Sequence, residues 1–212
     1  MRVGKYDILR PVIQPGDIIA FGGECIISKI IMLATNSPVS HVGIVERTNQ
    51  DNGFWTNMLM ESTTLNGTSG VVRTRLSERL QDYRGRVWWL PLSEETRAKL
   101  DMDKFWIWLE NQNGKPYNAR GAIKSALDIF EKIPFIGKWF RNRESYKRLF
   151  CSHLVAGALK AAGVLPQGIN PSEITPRDLT AMRLYSYDVQ LKGEVKEVKN
   201  FNRFSPDKFC EG

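Results

Sequence analysis

Apolar residues fall along the chain in short runs separated by Gly, Pro and Asn, and only some of them keep a helical period. After the Pro15-Gly16 turn, Asp17-Ile18-Ile19-Ala20-Phe21 reads as a short buried strand that Gly22-Gly23 breaks. Over 24–34 the apolar positions Ile26, Ile27, Ile30, Ile31 and Ala34 recur at helical spacing, and Asn36-Ser37-Pro38 ends that helix. Residues 39–46 form an apolar strand, 48–53 a polar loop and 54–62 a second strand. Further strands are predicted at 71–74 and 86–90. Ser93, with Glu94 and Glu95 behind it, opens a helix with Ala98, Met102, Phe105, Trp106 and Leu109 on one face, closed by Gly114. A turn at 115–118 leads into another helix ending at Phe130. The stretch 133–140 is apolar but broken by Pro134 and Gly137, and a charged segment, 141–148, follows. Cys151 opens an apolar helix to Ala162, ended by Gly163 and Pro166. Thr175, Pro176 and Asp178 mark one more helix start, and 185–191 a last strand.

This order predicts an α+β fold, with a small antiparallel sheet packed on the helix that carries Cys151. Residues 1–14 read as an N-terminal extension, 15–192 as the domain, and 193–212 as a charged tail with few order signals. Hydrophobic residues make up 42% of the 212, enough for a packed core and too many for wholesale disorder.

The net charge of +7 suits nucleic acid, anionic lipid or cell-wall partners. No nucleic-acid motif accompanies it, so nucleic acid is disfavoured and a solvated basic surface is the plain reading. An anionic membrane surface stays among the expected partners. The 133–140 stretch, followed by Arg141 and Arg143, reads either as core or as a flap beside the site that touches lipid. No run reaches the ~20 apolar residues of a membrane span. Cys25, Cys151 and Cys210 lie far apart, which is no disulfide framework and favours a reducing compartment. With no signal-peptide pattern at the N-terminus, the expectation is cytoplasmic. Nothing in the sequence sets an oligomeric state.

The chemistry centres on Cys151 and His41. A thiol nucleophile needs an imidazole to hold the thiolate and protonate the leaving group, and gains from a helix N-terminus. Cys151 at a helix start meets the second requirement. Cys25, within an apolar helix, and Cys210, in the tail, read as small hydrophobes. There are two histidines. His153 lies two residues after Cys151, turned roughly 200° away on a helix, so His41 is the candidate base. If strands 39–46 and 54–62 form a plain hairpin centred on Asp51, Glu61 lies opposite His41 on the same face, about 4.5–5.5 Å away between Cβ atoms. Glu61 would then accept the second imidazole N–H and fix the tautomer. A one-residue slip would send one of the two to the other face. Asp17 reads as structural, bonded to nearby backbone amides. Zinc is the competing use of Cys25, His41, Cys151 and His153, but Cys-x-His is not a structural-zinc spacing and paired short-range ligand motifs are absent, so neither metal nor cofactor is expected.

Pro15-Gly16-Asp17-Ile18-Ile19, Ser40-His41-Val42-Gly43-Ile44-Val45, Glu61, Gly114-Lys115-Pro116-Tyr117, Cys151-Ser152 and Thr175-Pro176-Arg177-Asp178-Leu179 occur in that order. The pattern resembles the circularly permuted, YiiX-like branch of the NlpC-type papain-like cysteine hydrolases, in which the histidine precedes the cysteine. It spans roughly residues 15–180, with one departure: His153 stands where an acidic residue is expected. The resemblance implies a permuted papain-like fold, a Cys151–His41–Glu61 triad, and a peptide or acyl-amide substrate cleaved through a thioester. It also implies a hydroxyl from Tyr117 near the oxyanion and a contact from Ser152, beside the backbone N–H of Cys151. The alternatives are a lipid acyltransferase or thioesterase of the same fold, and a binding module without turnover.

Overall fold

A computed structural model describes residues 2–65, 68–115 and 150–210. Tyr117, the helix expected to end at Phe130 and the 133–140 stretch lie outside the described residues.

The frame is a seven-stranded sheet in the order β1-β7-β6-β2-β3-β4-β5, comprising β1 (Arg2–Val3), β2 (Ile18–Gly23), β3 (His41–Asp51), β4 (Phe54–Leu65), β5 (Thr68–Arg75), β6 (Gly85–Leu90) and β7 (Val189–Lys192). The sheet is mixed, not antiparallel throughout as expected, because β1 runs parallel to β7. The expected N-terminal extension therefore supplies an edge strand, and it buries Ile13 in the core. The described helices are α1 (Tyr6–Leu9), α2 (Ile26–Ala34), α3 (Leu76–Asp82), α4 (Glu94–Ala98), α5 (Met102–Gln112), α6 (Phe150–Ala161) and α7 (Pro176–Ala181).

Strand alternation splits the core into two layers. Ile18, Ala20, Val42, Ile44, Met60, Trp88 and Leu90 pack on one face with α5, α6 and α7. Ile19, Phe21, Val45, Leu59, Val87 and Trp89 pack on the other with Leu76 of α3. Helix α6 is buried on almost every side, between the sheet and α5. Close approach to α5 depends on Gly157: a Cβ there would lie 2.3 Å from the Trp108 ring.

Four local expectations change. Gly22 and Gly23 do not break β2; they are its last residues, and a Cβ on Gly22 would meet the Pro38 carbonyl at 2.3 Å. The helix expected from Ser93 to Gly114 is two helices, since Asp101 caps α5 afresh by accepting from the Lys104 amide. Residues 48–51 belong to β3, and the turn is Asn52-Gly53, both with positive φ. The tail is docked: Val198 is buried, Phe201 stacks on Tyr185, and the Lys196 carbonyl accepts from the Trp88 indole at 3.0 Å. At α7 the predicted helix start forms, and it is a capping box, with Thr175 and Asp178 bonding each other's backbone amides.

Candidate functional site

His41 is the first residue of β3 and is only 6% exposed. Glu61, in β4, is fully buried. The two are joined by a 2.7 Å contact from His41 Nε2 to Glu61 Oε2. The hairpin reaches this geometry differently from the plain one expected. From the Asn52-Gly53 turn the register runs Asp51↔Phe54 to Arg47↔Met58, and on that register Glu61 would fall opposite Ile44, on the wrong face. A bulge between Val45 and Arg47 inserts Glu46 and resets the register to Val45↔Leu59 and Ile44↔Met60. One step further, Glu61 stands across from Gly43, diagonal to His41 and on the same face. Gly43 clears the way: a Cβ there would sit 3.3 Å from Glu61 Cγ and 3.0 Å from Leu59.

The bulge itself is pinned. The Glu46 carboxylate is buried and accepts two bonds from Arg73 of β5, each 2.8 Å. Its carbonyl accepts from the Trp106 indole of α5 at 3.0 Å.

Glu61 has a second partner that the sequence reading missed. Arg79 of α3 is buried and donates from Nε to Glu61 Oε1 at 2.7 Å. Its guanidinium lies over the rings of Phe21 and Tyr83, which hold it in place. The available signal was the spacing of Leu76 and Leu80 with Glu78 in the first turn, a helix of only seven residues.

Helix α6 carries Cys151 as its second residue, fully buried. The thiol hydrogen-bonds the His41 ring. Burial alone would lower the His41 pKa; the charge and hydrogen bonds of Cys151 and Glu61 outweigh it and push it up to about 9. Burial would raise the Glu61 pKa, but His41 and Arg79 hold it below the ordinary value. The structure thus brings together Cys151, His41, Glu61 and Arg79.

The other residues fall elsewhere. His153 is half-buried, with its pKa lowered by burial. Ser152 is buried beside Cys151. Asp17 is buried and accepts from the Gln14 and Leu92 amides, the Trp89 indole and Arg97, as a structural residue would. Cys210 is partly exposed. Cys25 is not a buried hydrophobe inside α2: it is exposed and caps that helix, its sulfur accepting from the Ser28 amide. A cleft of about 450 Å³ opens onto His41 and is lined by Cys25, Thr63, Arg79, Tyr83 and Arg84, among others. Among the described residues, no group of three or more His, Cys, Asp or Glu side chains is placed to hold a metal ion.

No protein-family model matches the chain, and no curated protein matches it significantly. Among solved structures it is similar to the crystal structure of metalloprotein yiiX from Escherichia coli O157:H7, at 22% identity and a TM-score of 0.44, over 76% of this chain and 77% of that one.

Proposed function

We propose that the protein is a cysteine hydrolase of the permuted papain-like kind, which cleaves an amide through a thioester. The observation that carries the reading is the buried His41 ring, bonded at Nε2 to Glu61 and hydrogen-bonded to Cys151. A buried imidazole held charged beside a thiol favours the thiolate–imidazolium pair. In that pair the sulfur attacks the amide carbonyl and the C–N bond breaks. His41 gives its proton to the departing amine. It then takes one from water, whose oxygen attacks the thioester carbon, and the sulfur leaves. The backbone N–H of Cys151 is suited to stabilise the oxyanion, and the dipole of α6 favours the thiolate near its first turn. Glu61 orients the ring and stays ionised, with Arg79 holding its other oxygen.

The test is alkylation by iodoacetamide at about pH 6, where an ordinary thiol reacts slowly. Exposure alone favours Cys25, so the protein is used as Cys25→Ser with Cys210→Ser. Cys151 should label, and His41→Ala should slow it by about tenfold or more, because the thiolate loses its counter-ion. His153→Ala should leave the rate unchanged. Equal rates with and without His41 would reject the pair and favour a binding module. On peptide amides and N-acyl amino acids, Cys151→Ala should abolish amine release.

A further inference from the structure

Helix α2 is apolar on the side that faces water. Seven of its nine residues, Ile-Ile-Ser-Lys-Ile-Ile-Met-Leu-Ala, are hydrophobic. At 100° per residue, Ile26, Ile30 and Leu33 fall within about a 60° arc, with Lys29 at its border. Ile26 is 66% exposed and Leu33 80%. Ser28 and Ile31, on the opposite side, are buried against the body. Single exposed aliphatics are ordinary, but an aligned stripe of them along one helix marks a contact surface.

The rim of the stripe carries more basic than acidic groups, with Glu24 at the start of the helix as the acid. Lys29 lies on the helix, and Lys199 bonds Asn36 just beyond its C-terminal end. Near the other end, Arg84 lines the cleft with Cys25. The chain carries +7 overall, so a second copy would repel this face electrostatically while an anionic surface would attract it. Nine residues span about 14 Å, far short of a bilayer, but an apolar stripe with lysine at its edge suits a helix lying in the lipid interface.

We propose that α2 docks the protein on an anionic lipid surface, with Ile26, Ile30 and Leu33 entering the interface and Lys29 reaching the head groups. Glu24, Cys25 and Ser28, at the start of α2, also line the cleft that opens onto His41. Docking therefore brings that cleft to the level of the head groups. The docking does not depend on turnover: a protein that binds vesicles but carries an inert Cys151 would keep this proposal and lose the hydrolase.

The experiment is co-sedimentation of the full chain with phosphatidylcholine vesicles, with and without phosphatidylglycerol. Wild type should bind the anionic vesicles more tightly, and added salt should weaken the binding. Ile26→Glu with Leu33→Glu should weaken it by on the order of a hundredfold, and Lys29→Gln by roughly fivefold. Leu33→Ser, at a position exposed enough not to disturb folding, should cost about tenfold and stands in should the double variant not fold. Absence of wild-type binding, or unchanged binding by folded Leu33→Ser, overturns the proposal. So does a dimer in light scattering that Leu33→Ser dissolves, since the face would then belong to a second copy.

Discussion

Glu61→Gln looks conservative, but the geometry says otherwise. Each Glu61 oxygen is used: Oε2 lies 2.7 Å from His41 Nε2, and Oε1 accepts from Arg79 Nε at 2.7 Å. Glutamine has one oxygen and one NH₂, so it can accept from Arg79 or from the His41 N–H but not from both, and with its NH₂ toward Arg79 two donors meet. One charge-assisted bond is lost, and Arg79, buried, is left beside a neutral group. Hydrogen bonds to charged groups contribute about 1.5–3 kcal/mol, and removing one partner of a buried ion pair costs about 3–5 kcal/mol. Glu61→Gln should therefore destabilise the fold by about 3–5 kcal/mol in urea unfolding, besides slowing any turnover. Adding Arg79→Gln should recover about 1–3 kcal/mol of the sum of the single effects, because the two sites share the contact. His41, whose pKa is raised to about 9, should titrate lower by NMR in Glu61→Gln, since burial lowers it and Cys151 alone remains to oppose that. An unchanged unfolding midpoint with His41 still titrating near 9 would refute the bridging role of Glu61.

Three other outcomes follow from the same contacts. The raised His41 pKa belongs to a pair with Cys151, so by NMR His41 should titrate below 9 in Cys151→Ala, which removes the largest influence that raises it. Gly157→Ala should cost about 1–3 kcal/mol by thermal unfolding, as its methyl would meet the Trp108 ring, and Trp108→Leu should recover part of it. Arg73→Ala should cost about 1.5–3 kcal/mol in denaturant, because the buried Glu46 carboxylate loses its two 2.8 Å bonds while Arg47 stays within 3.5 Å of it.

What could be read from the sequence, and what could not, divides by the range of the interaction. The Thr175–Asp178 capping box is written in four residues, and it forms. The short apolar runs of β2, β3 and β6 and the apolar character of α6 placed the core elements. Arg79 was out of reach because its meaning comes from Glu61, eighteen residues earlier, and from two aromatic rings that settle its guanidinium. Cys25 was misjudged because the helix start was set two residues early; the sulfur caps α2 instead of packing inside it. The docked tail carries its order in long-range contacts, such as the Asn202 side chain accepting from the Leu184 and Tyr185 amides. No local pattern announces those.

The His41–Glu61 pair holds the sharper lesson. A plain hairpin centred on Asp51 puts both on one face, and both are on one face, but not by that route. The turn is Asn52-Gly53, which by itself would place Glu61 opposite Ile44. The inserted Glu46 restores the parity, so the two departures cancel in face and leave a displacement of two residues along the strand. Because side chains alternate with a period of two, a shift of two keeps the face and costs only reach. Gly43 supplies that reach by leaving the diagonal open. The bulge that decides the parity is held by Arg73 and Trp106, neither of which touches His41 or Glu61 in any contact described. The geometry of the pair is thus fixed by a buried carboxylate outside it, that of Glu46, further along β3. That is why Arg73→Ala should disturb the titration of His41 as well as the stability of the sheet.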